Sequence, residues 1–185
     1  EKNENTVDFA QAEKTDSLNL KYAEEFSVDK YGDYSLITID GGSKFLIVPE
    51  NCDTPSNVPS DIYILKQPLD KTYLVSTSVM DLISRIGAVS DIRLSGTKEK
   101  NWYVEDAVKA MENGDMLYAG KYSAPDYELI LNEGCNLVIE NTMIYHNPEV
   151  KEKLENLGIP VLVEKSSYEK NPLGRLEWIK LYGVL

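Results

Sequence analysis

The sequence predicts an α/β fold: a three-layer lobe with a mostly parallel central sheet flanked by helices, preceded by an N-terminal β-hairpin. Three observations carry this. From about residue 61 onward, short apolar runs alternate with segments of helical spacing. Each helical segment closes on a glycine, at positions 87, 114, 134 and 158. Nearer the N-terminus, two β-type runs are separated by Gly41-Gly42-Ser43, a hairpin signal.

The elements follow in order. Residues 1–33 hold 9 acids and 4 bases with scattered apolar residues, so 1–21 is expected to be a flexible acidic leader. Order is expected from residue 22. YSLITID (34–40) and KFLIVPE (44–50) are the arms of the hairpin, and NCDTPSNVPSD (51–61) is a turn-rich connector. Five strands come next: TYLVS (72–76), DIRLS (91–95), DMLYA (115–119), NLVIE (136–140) and PVLVE (160–164). After the first, Ser78 caps a helix, with Asp81 three residues on as a capping box, and Val79, Leu82, Ile83 and Ile86 form its apolar stripe. Val104, Ala107, Val108 and Met111 repeat that spacing after the second strand. Pro125 suits a first helical turn after the third, with Tyr127, Ile130 and Leu131 inward. Asn147-Pro148 opens the helix after the fourth, with Val150, Leu154 and Leu157 inward. Strand–helix alternation of this kind builds right-handed βαβ units and a Rossmann-like parallel sheet. A last helical segment starts at Pro172.

Composition narrows the function. With 185 residues the chain can bury a sizeable core, and 42% hydrophobic with 27% charged residues is globular composition. A formal net charge of −12 with no local Lys/Arg cluster argues against nucleic acid and against charge-driven binding to anionic lipid. One histidine, His146, and two cysteines, Cys52 and Cys135, are too few for a usual zinc site, so no resident metal or cofactor is expected. The two cysteines read as free thiols, although a single disulfide between them is compatible with the sequence.

No catalytic motif of the GxSxG, GxxxxGK[ST], HExxH or CxxC type is present, and the first strand-to-helix turn, STSVMD, lacks a glycine-rich phosphate cradle. Glu140 and His146 flank one strand end and can be drawn as an acid/base pair; a helix-entry loop with a surface histidine is the simpler reading of them. In open parallel sheets ligands sit outside the carboxyl ends of the strands. That rule selects the loops 76–78, 96–103, 120–124, 141–147 and 165–171. They carry Trp102, Tyr103, Lys121, Tyr122, Met143, Tyr145, His146 and Tyr168. Such aromatic side chains suit a cleft for a large, partly apolar ligand, and they also suit plain cover for the sheet.

YLVSTSVMDLISRIGAVSDIRLSG resembles the opening of the substrate-binding proteins of iron-complex and cobalamin ABC importers. AGKYSAPDYELILNEGCNLVIE is similar to a second block of that family, and GIPVLVEKSSYEKNPLGRLEWIKLYGVL to its GIPV strand and the start of a long helix joining two lobes. The resemblance covers roughly residues 70–185. It implies a monomeric, extracytoplasmic, lipid-anchored binding component that catalyses no reaction. The implied ligand is a ferric siderophore, haem or a corrinoid, handed to the permease subunits of the importer. The lobe then spans 22–171 and includes the hairpin 34–50. Residues 172–185 begin the inter-lobe helix, and the second lobe is absent. Ser76, Thr77, Trp102, Lys121, Tyr122, Met143, Tyr145, Tyr168 and Arg175 form half of the cleft. Lys121 and Arg175 meet anionic groups of the ligand. Tyr145 or His146 is a conceivable ligand of its metal. Glu128 matches the family's first-lobe glutamate that docks on permease arginines. The alternative is a small stand-alone α/β enzyme or regulatory domain using Glu140 and His146.

Overall fold

A computed structural model of the protein describes residues 7–185. The chain divides into two units. The first holds residues up to Pro68 together with Ser167–Leu185, and the second holds Leu69–Ser166.

The first unit is built on a five-stranded sheet, Asp16–Ser17 (β1), Phe26–Tyr31 (β2), Tyr34–Ile39 (β3), Lys44–Val48 (β4) and Ile62–Lys66 (β5), in sequential order. Neighbours are antiparallel except β4 and β5, which run parallel. The expected hairpin is β3–β4, and it occupies the middle of this sheet. Burial explains the pairing: Ile37, Phe45 and Leu46 are fully enclosed. Strand β5 is the run IYILK, which lies between the expected connector and the first expected strand of the parallel sheet.

Two expectations fail in this unit. Of the leader foreseen over 1–21, residues 1–6 lie outside the described residues, and the rest, though mostly exposed, contains the turn Phe9–Gln11 and strand β1. Phe9 is buried with Tyr34, Leu46 and Val48, and β1 pairs with β2. One aromatic ring removed from water outweighs the polar composition around it. The second failure is the single long helix from Pro172. The chain there forms two short helices, Pro172–Glu177 and Ile179–Tyr182. They are held to the unit by Trp178, fully buried, whose ring lies 4.8 Å from that of Phe26.

The second unit carries the expected strand–helix alternation over Leu69–Ser166, whereas the lobe was expected over 22–171 with the hairpin included. Its strands are Thr72–Leu74 (β6), Ile92–Ser95 (β7), Leu117–Tyr118 (β8), Leu137–Glu140 and Val161–Val163. A small antiparallel ribbon, Gly120–Lys121 (β9) with Ala124–Pro125 (β10), lies between β8 and Leu137–Glu140 (β11), so Val161–Val163 is β12. The sheet is all parallel, in the order β12-β11-β6-β7-β8. Helices Thr77–Arg85 (α1), Glu105–Glu112 (α2), Tyr127–Asn132 (α3) and Pro148–Asn156 (α4) follow β6, β7, the ribbon and β11. One core cluster joins strand residues Tyr73, Leu94, Val138 and Val161 to Ile130 of α3 and Leu154 of α4.

Local details differ from expectation. Helix α1 starts two residues earlier than a Ser78 cap requires; Ser76 is its N-cap, and Asp81 pairs with Arg85 at 2.9 Å. Pro125 belongs to β10, and Asp126 caps α3 by accepting from the Leu129 N–H at 3.0 Å. Leu131 and Leu157 face solvent rather than the core.

At the end of β7, Gly96 is set by close approach. A Cβ there would lie 2.9 Å from Cα of Val75, where β6 and β7 run side by side. Gly96→Ala is expected to lower the stability of the second unit by about 1–3 kcal/mol through this overpacking, read as a lower urea midpoint at unchanged slope.

Candidate functional site

Strand order places the site. From β6 the chain winds outward through β7 to β8, then returns to lay β11 and β12 on the other side of β6. The winding direction therefore reverses between β6 and β11. In open parallel sheets the loops diverge at such a point and leave a crevice at the strands' carboxyl ends. Here the diverging segments are Ser76–Thr77, entering α1, and Asn141–Asn147, leading to α4.

The β6 side is tied down by charge. Glu164, just after β12, is 3% exposed, and its Oε1 accepts from Ser76 Oγ at 2.9 Å and Ser78 Oγ at 3.4 Å. Its Oε2 accepts from the Ser166 N–H at 2.9 Å. The carboxylate thus fills the mouth of α1, where a free helix N-terminus attracts anions. Ser76 is buried and spends its hydroxyl on this contact, while Thr77 stands in solvent.

The β11 side differs. Glu140 ends that strand fully buried, and neither carboxylate oxygen has a hydrogen-bond partner. In register it sits beside Val163. It lies two residues from Val138, on the face of the core cluster, and Glu164 falls on the opposite face. Burial pushes its pKa up to about 8, against a smaller lowering by the nearby Asn141 amide. His146 is exposed, so the acid/base pair drawn from the sequence is not formed. After Glu140, the 3-10 turn Thr142–His146 presents Met143 and Tyr145 outward and buries Ile144.

The remaining expected site residues separate by environment. Trp102 is buried, and its indole Nε1 donates to Ser95 Oγ at 3.1 Å; that hydroxyl also accepts the Thr97 N–H at 3.0 Å. The tryptophan therefore braces the β7 loop and is not presented to a ligand, because its one polar atom already has a buried partner. Its neighbour Tyr103 is wholly exposed. Tyr122 packs against the core cluster, and Lys121 is exposed on β9. Glu128 is exposed in the first turn of α3. Tyr168 and Arg175 belong to the first unit, where Arg175 donates to the Ser167 carbonyl at 3.2 Å. The structure thus gathers Thr77, Lys121, Met143 and Tyr145 on the carboxyl edge of one sheet. Glu164 was passed over in the sequence. The available signal was an acid ending an apolar strand, PVLVE, as Glu140 ends NLVIE.

Both cysteines are free. Cys135 is buried, which pushes its thiol up to about 11, so it packs as a small apolar side chain. Among the described residues no group of three or more His, Cys, Asp or Glu could hold a metal ion, and no helix is long and apolar enough to cross a membrane.

No family model matches the chain. It is similar to two proteins of Methanocaldococcus jannaschii. One, "Uncharacterized lipoprotein MJ0878", is 24% identical over 207 aligned positions that cover 98% of this chain and 49% of that protein. The other, "Uncharacterized lipoprotein MJ0872", is 29% identical over 167 positions, covering 87% of this chain and 41% of that protein. The chain spans half or less of the length of these curated relatives.

Proposed function

We propose that this chain is part of an extracytoplasmic lipoprotein, the solute-binding component of an ABC importer that captures an iron complex (siderophore or haem) or a corrinoid. The observation that carries the reading is the reversal point between β6 and β11, where exposed Thr77, Met143 and Tyr145 line the carboxyl edge of the parallel sheet. Aromatic and thioether side chains at such an edge suit a large, flat, partly apolar ligand. The names of the two relatives support the lipoprotein part of the reading. Lys121 supplies a cation for an anionic ligand group. Tyr145 and His146, both exposed, are the residues able to approach a metal within the ligand.

Glu128 is assigned to docking on a basic permease surface. It is exposed, off the buried side of α3, and favoured there by the helix dipole. Fluorescence quenching of the full-length protein by haem, cobalamin and ferric siderophores tests the reading; failure of all three to bind would overturn it. Glu128→Ala is expected to abolish uptake in cells while leaving ligand affinity within twofold. Uptake at the wild-type rate would remove the docking assignment.

A further inference from the structure

The C-terminal helices of the first unit carry a face that the unit leaves uncovered. Pro172–Glu177 and Ile179–Tyr182 continue through Trp178, whose backbone is itself helical. Gly174, Glu177, Trp178 and Leu181 are buried and form one stripe. At about 100° per residue, Leu176 and Ile179 lie opposite that stripe, with Arg175 on one flank and Leu173 and Lys180 on the other. Leu173 is 47% exposed and Leu176 59%, which makes Leu176 the most exposed aliphatic side chain among the described residues.

The charges of this segment are sorted by depth. Its acids, Glu169 and Glu177, turn inward and accept backbone N–H groups of residues 21–25. Its cations Lys170, Arg175 and Lys180 stay exposed. Lys170 is matched by Glu24 at 2.8 Å, and Lys180 Nζ donates to Glu177 and to the Asn19 carbonyl at 2.7 Å each. Arg175 donates to the Ser167 carbonyl and has no carboxylate partner among the described residues. The net charge of −12 therefore does not describe this face, where leucines stand between cations and the one acid between Lys170 and Val184 is buried. An apolar centre with cationic flanks suits a helix lying in the headgroup layer of a bilayer, leucines toward the acyl boundary and cations at the phosphates. A second copy of the same face is a poor occupant, because both flanks would set cation against cation.

We propose that this face of the C-terminal helices is a membrane-contact surface, with Leu173 and Leu176 entering an anionic bilayer surface and Arg175 and Lys180 meeting lipid phosphates. The proposal rests on the lipoprotein part of the reading above, which holds the chain beside a bilayer, and needs none of its ligand.

Co-sedimentation with vesicles tests it, using the full-length protein expressed without a lipid anchor. At low salt, binding to phosphatidylcholine vesicles containing about 30% phosphatidylglycerol is expected to exceed binding to pure phosphatidylcholine on the order of 10-fold, and to fall toward it in ~0.5 M NaCl. Arg175→Gln is expected to weaken binding about 5-fold, and Leu173→Ser with Leu176→Ser about 10-fold. Leu131→Ser, at a leucine of the second unit that is also 47% exposed, is expected to bind as the wild type does. Melting temperatures within a degree or so of the wild type show that the variants remain folded. Equal binding to the two vesicle types would overturn the proposal, as would undiminished binding by the double serine variant. A dimer that the double serine variant abolishes would assign the face to a second copy instead. Binding by the 185-residue chain but not by the full-length protein would assign it to the remaining part of the chain. The ligand screen is read separately, so either reading can fail without the other.

Discussion

Glu177→Ala is expected to destabilise the first unit by about 3 kcal/mol, because it strips a charged acceptor from three backbone amides at once. The carboxylate of Glu177 accepts the N–H groups of Lys21 at 2.8 Å, Tyr22 at 2.7 Å and Ala23 at 2.8 Å, with Lys180 Nζ at 2.7 Å. Glu169 does the same for Glu24 and Glu25 and also receives the Trp178 indole. These two side chains hold the stretch 21–25, which forms no ladder of its own, against the C-terminal helices. Gly174 completes the contact, since a Cβ there would lie 2.8 Å from the Tyr22 carbonyl. Burial alone would raise the Glu177 pKa; the Lys180 ammonium and the backbone donors outweigh it and hold it at about 2. With the folded value below the ordinary 4.5, the stabilisation is complete above pH 4.5 and is lost as pH falls toward 2. Melting temperature followed from pH 6 to pH 2 is expected to fall steeply in the wild type and less steeply in Glu177→Gln. Equal slopes would show that the carboxylate does not carry this acid limb.

In the second unit the pH dependence has the opposite sign. Glu140 has a folded pKa of about 8, above its ordinary 4.5. Its contribution is intact below pH 4.5 and is lost as pH rises through 8. Between those limits the unit is expected to lose about 3–5 kcal/mol relative to a variant without the carboxyl. Urea unfolding at pH 5 and pH 8.5 measures it: Glu140→Gln is expected to match the wild type at pH 5 and exceed it clearly at pH 8.5. A wild type as stable as the variant at pH 8.5 would mean that a partner for Glu140 forms in solution.

Both groups explain how much was legible beforehand. The alternation of apolar runs and glycine-stopped stripes was sufficient for the second unit, because each helix and strand there is a continuous segment and parallel βαβ winding joins neighbours in sequence. The first unit was not legible in the same way. Its N-terminal strands and its C-terminal helices are about 140 residues apart in the chain, and what joins them is a pair of carboxylates meeting backbone amides. Backbone donors leave no trace in residue type, so KYAEE reads as loop and Glu177 as one more helix acid. Phe9 shows the same limit: one buried ring orders a segment whose composition is that of a tail.

At the candidate site the expected loops follow the carboxyl ends of the strands, and their side chains divide between core and surface. Trp102 and Ser76 spend their polar atoms inside the fold, on Ser95 and Glu164, while Tyr145, Met143 and Thr77 are exposed. By itself the sequence determined the α/β class, the helix stops and the hairpin, since these follow from periodicity and turn chemistry along a contiguous chain. Only the tertiary structure decided which polar groups are paired, which are buried alone and where the strand order reverses. Those depend on contacts between residues far apart in sequence, and such contacts determine whether a glutamate is a brace, as Glu164 and Glu177 are, or an uncompensated acid, as Glu140 is.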